Sequence, residues 1–386
     1  MEILVKTKDI SDCVSRIAAM GGRTTDMHLS ARHLQESADT DTYVAGEAIG
    51  TIYGDRGSLQ WSVPVELKKE GELTIDARSL EKFLKVSSRS DISLLLRTDA
   101  DGDGGKLRIE TATGAHDFAL TDNPIYTGVK VHKEETDLGN LSEVADALTF
   151  ASKAKEANGA ATSGRAALSG VNITRLQDGR IMRVAGTDGQ RLNYVDLSIQ
   201  DSDTIDIEDI EGGLTIPGEI VGKIADILKS ENAYLRLRDQ MVTLLTRQGR
   251  IDARLMDAPY PNYTPLTELR PRKSVILSTE RFATALQRSS VNLSADPSNA
   301  VKLIADSNGV GVASSATGRS STDTISEDGS QEFHVAFNHQ YMLQAIEGMK
   351  TSQIRLGHQS ENEPILIDAP DRPNLKAIIM PVRAGW

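Results

Sequence analysis

Apolar and polar residues follow one order along the chain, and that order occurs three times. Leu73-Thr74-Ile75-Asp76 alternates as a strand does and leads into residues 79–86, where Leu80, Phe83 and Leu84 share one helical face. The order returns as Leu214-Thr215-Ile216-Pro217 before residues 218–229, with Ile220, Ile224, Ile227 and Leu228 in phase. It returns again as His334-Val335-Ala336-Phe337 before residues 338–350, with Met342, Ala345, Ile346 and Met349 in phase. Two strand-like runs follow each helix, at 92–97 and 106–111, 234–238 and 241–246, and 353–357 and 364–368. A further strand closes each copy at 116–120, 251–255 and 376–381, and an earlier helix opens each at 9–20, 140–155 and 278–290. Asn140 with Glu143 has the form of a capping box, which predicts a helix start there.

A pattern of this length, present in so few copies, describes domains rather than a solenoid. It predicts an α+β chain of three similar domains, 1–128, 129–268 and 269–386, each with two helices packed on antiparallel sheets. The stretch near residues 266–274 follows Pro265 and contains Pro271, as a linker would.

Composition narrows the function classes. Aromatic residues make up 4% of the 386, so the cores rest on Leu, Ile, Val and Ala. The single cysteine, Cys13, rules out an intrachain disulfide and fits a reducing, cytoplasmic setting. Residues 1–6 carry charges inside their apolar run, unlike a signal peptide, and no stretch of about 18 apolar residues predicts a membrane span. The net charge of −12 argues against nucleic acid only if charge is evenly spread. It is not: the six predicted helices hold 10 Lys and Arg against 9 Asp and Glu, and the remainder is acidic.

Four segments carry a family resemblance. Val184-Ala185-Gly186-Thr187-Asp188-Gly189-Gln190-Arg191-Leu192 is similar to the V-A-T-D-G-H-R-L motif of the bacterial DNA polymerase III beta subunit, the DNA sliding clamp, with one inserted Gly. Arg254-Leu255-Met256-Asp257-Ala258-Pro259-Tyr260-Pro261-Asn262-Tyr263 resembles its R-L-[IV]-[DE]-G-x-[FY]-P-[DN]-Y, and Ile379-Met380-Pro381-Val382-Arg383 its terminal [VI]-M-P-[ML]-R. Phe337-Asn338 with Tyr341 and Ala345 resembles a fourth. Order and spacing match over roughly residues 130–383. Thr24-Thr25-Asp26-Met27-His28 stands where the family has a Pro-rich hydrophobic strand, which leaves open a paralogue or plasmid-borne copy.

The resemblance implies a head-to-tail homodimer closed into a ring around double-stranded DNA, without sequence readout. It implies contacts from Arg23, in the Gly21-Gly22-Arg23 loop, and from Arg165. It also implies a groove for short linear motifs of the polymerase III alpha subunit, the clamp loader and repair proteins. That groove would be walled by Leu168, Thr187, Gly189, Arg191, Leu192, Pro261, Leu266, Tyr341, Ile378, Met380, Pro381, Val382 and Arg383. Phe118, Leu120 and Leu293 would lie in the dimer interface. Pro265 replaces a basic residue common in the family, and Ala384-Gly385-Trp386 runs past its usual end, with Trp386 a candidate neighbour of the groove. The alternative is a clamp-like scaffold that binds partners without a replicative ring.

Enzyme chemistry finds little support. Asp99, Asp101 and Asp103 with Glu110 fit a calcium-loop pattern, but the flanks read as strands, which favours an acidic hairpin loop. Gly159 and Gly164-Arg165-Ala166 miss the Lys and Ser/Thr of a phosphate loop. Asp188 beside Thr187 reads as a turn residue holding backbone N–H groups, not as a catalytic acid. No metal or cofactor site is expected.

Overall fold

The computed structural model describes residues 1–20, 26–34, 44–54, 57–87, 93–99, 105–121, 137–156, 165–177, 179–200, 202–291, 293, 299–307, 309–316, 319–326 and 332–383. The fold is α+β, with antiparallel sheets throughout and paired helices. Among the described residues, no helix is long and apolar enough to cross a membrane.

Contacts group the chain into two units, one of residues 1–140, 203–206 and 231–254, the other of 141–202, 207–230 and 255–386. The sequence repeat has three copies; the grouping has two because hydrogen-bonded sheets run across the repeat boundaries. In the first unit the thirteen-residue strand Gly57–Lys69 is the connector. Its start pairs with Gly249–Arg254, its end with Glu2–Lys6, and its other edge with Val44–Gly54. Buried positions alternate through Leu59, Trp61, Val63, Val65 and Leu67, so one face lies against the core. Onto that core pack the helices Thr7–Met20, through Ile10, Cys13, Val14 and Ile17, and Ala77–Ser87, through Leu80 and Leu84. Burial pushes the Cys13 thiol up to about 12, so it is an inert core group.

The second unit carries an eight-stranded sheet and a four-stranded one. At the centre of the larger, Arg191–Ser198 pairs with Arg372–Ile379, setting Leu192 opposite Ile378. Helix Ser142–Ser152 packs on Gly218–Ser230, and Thr279–Ser290 on His339–Met349. Gly186, the extra glycine of the first motif, fits the close approach of helix and strand: a Cβ there would sit 2.1 Å from the Ala151 carbonyl oxygen. Asn193 donates to the Phe150 carbonyl at 3.0 Å from the neighbouring strand.

The periodic segments became helices and strands close to their predicted bounds. Ser278 and Asn338 are N-caps rather than first helical residues, and Asn338 Oδ1 accepts from the N–H groups of Gln340 and Tyr341. Asn140 is a correction: the helix begins at Ser142 behind Leu141, with no side-chain cap. The flanks of the calcium-loop pattern are strands, as expected. Ser93–Asp99 and Lys106–Thr111 pair antiparallel, and Glu110 accepts from Arg97 at 3.3 Å. Asp101 and Asp103 lie outside the described residues, as do Gly159 and Gly164.

Burial holds the imidazoles of His339 and His358 below their ordinary pKa, the Lys273 ammonium adding to the effect on His358. The fold therefore prefers both rings neutral, whereas the unfolded chain binds protons below about pH 6.5. Stability is then full above that pH and declines as pH falls through it. Thermal melts at about pH 8 and about pH 5.5 should differ by about 2–4 °C in Tm for each kcal/mol lost. His358→Gln should flatten part of that slope; an unchanged slope contradicts the assignment.

Candidate functional site

The Arg191–Ser198 strand is entered through a tight turn that explains its motif. Thr187 Oγ1 accepts from Gly189 N–H at 3.0 Å and donates to the Arg191 carbonyl at 2.5 Å. Asp188 Oδ1 accepts from the N–H groups of Gln190 and Arg191 at 2.9 and 3.1 Å, the turn role expected for it. Gly189 takes φ of +86°, in the left-handed region where a side chain is strained. Arg191 leaves the turn held on three sides. Nε donates to Asp188 Oδ2 at 3.0 Å, Nη1 donates to Gln344 Oε1, and the guanidinium lies 4.2 Å from the centre of the Tyr341 ring.

A second layer fixes this turn from behind. Tyr260 OH accepts from Thr187 N–H at 3.0 Å, and Tyr263 OH donates to Asn172 Oδ1 at 2.9 Å. The two rings meet edge to face at 5.9 Å. Burial pushes both phenols above their ordinary pKa, so they stay neutral hydrogen-bonding groups at physiological pH. Arg183 grips Asp196 with two bonds of 2.7 and 2.8 Å, lies 4.7 Å from the Tyr194 ring centre, and donates to Thr267 Oγ1 at 3.1 Å. That last bond props the single helical turn Thr264–Thr267, which carries Leu266.

These elements enclose a cavity of about 330 Å³. Leu192 and Ile378 form its floor, both fully buried in a core cluster with Ala185 and Tyr194. Leu168 comes from the short 3-10 helix Ala166–Ser169, Leu266 from the turn Thr264–Thr267 with Pro261 ahead of it, and Met380 from beyond the last strand. Thr187, Gly189 and Arg191 also line the cavity. The chain thus brings together most of the residues that the motifs singled out. Floor residues serve the core and the site at once, so burial alone does not separate the two roles.

Some predicted residues lie apart. Tyr341 lines an adjoining cleft and meets the cavity lining through Arg191. Val382 and Arg383 line a separate depression beside His334 and Lys302, since Val382 N–H bonds the Ala336 carbonyl and turns the chain away. Pro381 lines neither and stands half-buried between them. Asn262, Tyr263 and Arg165 line the cavity without having been assigned to it. Asn262 and Tyr263 sit in the same quoted motif as Pro261, so the signal was present. Arg165 Nη2 donates to the Asp188 carbonyl at 3.0 Å. Arg23 and Trp386 fall outside the described residues.

Of the residues predicted for an interface, Phe118 lies on the edge strand Gly114–Ala119, half-buried, 5.2 Å edge to face from Phe83. Leu120 follows it, its N–H bonded to the Gly105 carbonyl. Leu293 is a correction: it is 1% exposed and packed into its own unit, whereas Val291 beside it is 68% exposed.

Residues 270–383 match the family model of the DNA polymerase III beta subunit, C-terminal domain. Among curated proteins, the beta sliding clamp of Synechocystis sp. is 24% identical, the alignment covering 99% of this chain and 99% of that protein. The beta sliding clamp of Caulobacter vibrioides is 23% identical over 85% of each. Among solved structures, the C. crescentus beta sliding clamp superposes with a TM-score of 0.81 at 17% identity, covering 100% of this chain and 99% of that one. A Helicobacter pylori beta clamp bound to a DNA ligase peptide gives 0.79 at 19% identity, with both chains fully covered. At these identities the structural likeness speaks to the fold.

The turn's dependence on Tyr260 is testable. Tyr260→Phe leaves the Thr187 N–H without its acceptor and should lower the unfolding free energy by about 1–3 kcal/mol in urea titration. An unchanged midpoint would contradict the role given to the phenol.

Proposed function

We propose that this chain is a member of the DNA polymerase III beta subunit family, the beta sliding clamps, and works as a DNA sliding clamp. It acts as a non-catalytic processivity subunit, encircling duplex DNA and holding the enzymes of replication and repair on it. The observation that carries the reading is the cavity floored by Leu192 and Ile378. Its apolar floor and wall suit a leucine- or phenylalanine-sized anchor, and polar side chains in its lining, Asn262 and Arg165 among them, suit the backbone of a short extended peptide. The partners in this reading are the polymerase III alpha subunit, the clamp loader and repair proteins, each bringing a short linear motif.

The ring consists of two chains head to tail, each giving three domains at 1–128, 129–268 and 269–386. The edge strand Gly114–Ala119 offers open hydrogen-bonding groups, with Phe118 and Leu120, to the partner copy. Val291, at the end of helix Thr279–Ser290, is the apolar group on the opposing side. Arg23 and Arg165 meet phosphates, without base readout, and the acidic remainder of the surface limits tight non-specific binding. Such a ring operates where the chromosome is, in the cytoplasm of a bacterial cell.

Fluorescence anisotropy with a synthetic peptide bearing a Leu-Phe anchor tests the groove. The wild-type chain should bind it, and Met380→Ala should weaken binding about tenfold. Absence of binding by the wild-type chain would remove the groove reading. Light scattering after size exclusion tests the ring: the expected species is a dimer, converted to monomer by Phe118→Asp. A monomer at every concentration would favour a partner-binding scaffold that does not close.

A further inference from the structure

The edge strand Gly114–Ala119 carries more than the backbone groups already assigned to the partner copy. His116 and Phe118 are two positions apart, so their side chains leave the same face of the strand, and Leu120 follows in phase. The His116 ring centre lies 4.8 Å from that of Phe83, and the Phe118 ring centre 5.2 Å from it. Phe83 and Val86 are neighbours on one face of helix Ala77–Ser87, and Val86 is 69% exposed. Together these groups form an exposed apolar and aromatic strip with one ionisable member, His116. The charges around it are turned away or matched. On the neighbouring strand Lys106–Thr111, His116 stands opposite Ile109, which is buried with Leu107 on that face. Lys106, Arg108 and Glu110 alternate to the other face, as does Asp117. Arg108 pairs with Asp117 at 3.8 Å, and Glu110 accepts from Arg97 at 3.3 Å. The helix brings Arg78, Glu81, Lys82 and Lys85, and its one carboxylate, Glu81, pairs with Lys85 at 2.7 Å. Among the described residues of these three elements, every carboxylate is therefore engaged by an arginine or a lysine.

We propose that protonation of His116 opens the ring: two chains join while this imidazole is neutral and part when it takes a proton. The inference rests on reading the strand as the closing edge between copies, and adds a regulation that edge pairing alone lacks. Histidine is the side chain that exchanges its proton between about pH 5 and 8. In the open chain a charged ring stays hydrated and lies against the Phe83 ring, an arrangement that favours a cation. Closure covers the strip. On the opposing side Val291 is apolar, and Arg288 near it is already paired with Asp323 at 3.2 Å. An imidazolium there loses water without gaining a carboxylate, which costs more than covering the neutral ring. The sign follows by linkage. The open chain holds the extra proton more readily than the closed ring, so closure is strongest above the histidine range and weakens as pH falls through it. Because two such interfaces close one ring, the effect counts twice in the dimer.

Light scattering over a dilution series of the full chain gives the dimer dissociation constant. Between about pH 8 and about pH 6 that constant should rise about tenfold or more. His116→Phe keeps a ring against Phe83 but cannot be charged, and its constant should change by less than about twofold over the same range. His116→Gln, which removes the charge without adding apolar surface, should show the same flat profile. A wild-type constant equal at both pH values overturns the proposal while the ring stands. A pH dependence that survives in His116→Phe also overturns it, and assigns the proton to another group. A wild-type chain that is monomeric at about pH 8 at every concentration removes the ring reading, and this inference with it.

Discussion

The antiparallel pairing of Arg191–Ser198 with Arg372–Ile379 is the interaction on which the site depends. It joins a strand from the middle of the chain to the last strand, almost two hundred positions apart in sequence. Because side chains alternate across a strand, the register that sets Leu192 opposite Ile378 also decides which face they take. A slip of one residue would turn both away from Ala185 and Tyr194 and empty the cavity floor. Loop closure over such a separation costs entropy, which the fully buried apolar residues on both strands offset.

Everything around the cavity stiffens the entry to that pairing. The Thr187–Arg191 turn is held from within by Thr187 Oγ1 and Asp188, from behind by Tyr260, and from the side by the stack of Arg191 on Tyr341. The Arg183–Asp196 fork does the same for the opposite wall through Thr267. A site built this way is largely formed before any ligand arrives, so little ordering cost is left for binding. The same rigidity explains a polar rim around an apolar floor: the rim groups are engaged with one another.

The helices were legible because their apolar positions keep the 3.6-residue period, as Ile220, Ile224, Ile227 and Leu228 do. Their starts were less so. Asn140 and Glu143 had the chemistry of a capping box, yet the chain from Gly139 pairs with Ala233 instead, and the helix waits until Ser142. Sheet continuity was not legible at all. The pairing of Gly57–Lys69 with Gly249–Arg254 is non-local, and nothing in either segment names the other. For the cavity, the motifs identified the walls but not the depth. Asn262 and Tyr263 share the motif of Pro261 and line the cavity, while Pro381, Val382 and Arg383 belong to the terminal motif although the chain leaves the cavity after Met380. Leu293 was misjudged because hydrophobicity does not say whether a side chain faces its own core or a neighbour, whereas Val291 is exposed.

Enclosure of DNA by this chain, as proposed, is tested most directly by retention on nicked circular plasmid compared with the same plasmid linearised. With a clamp loader and ATP supplied, the account predicts that the protein co-elutes with the circle through gel filtration at moderate salt and is lost when one restriction cut opens it. Equal retention on circle and line, or none on the circle, would contradict it.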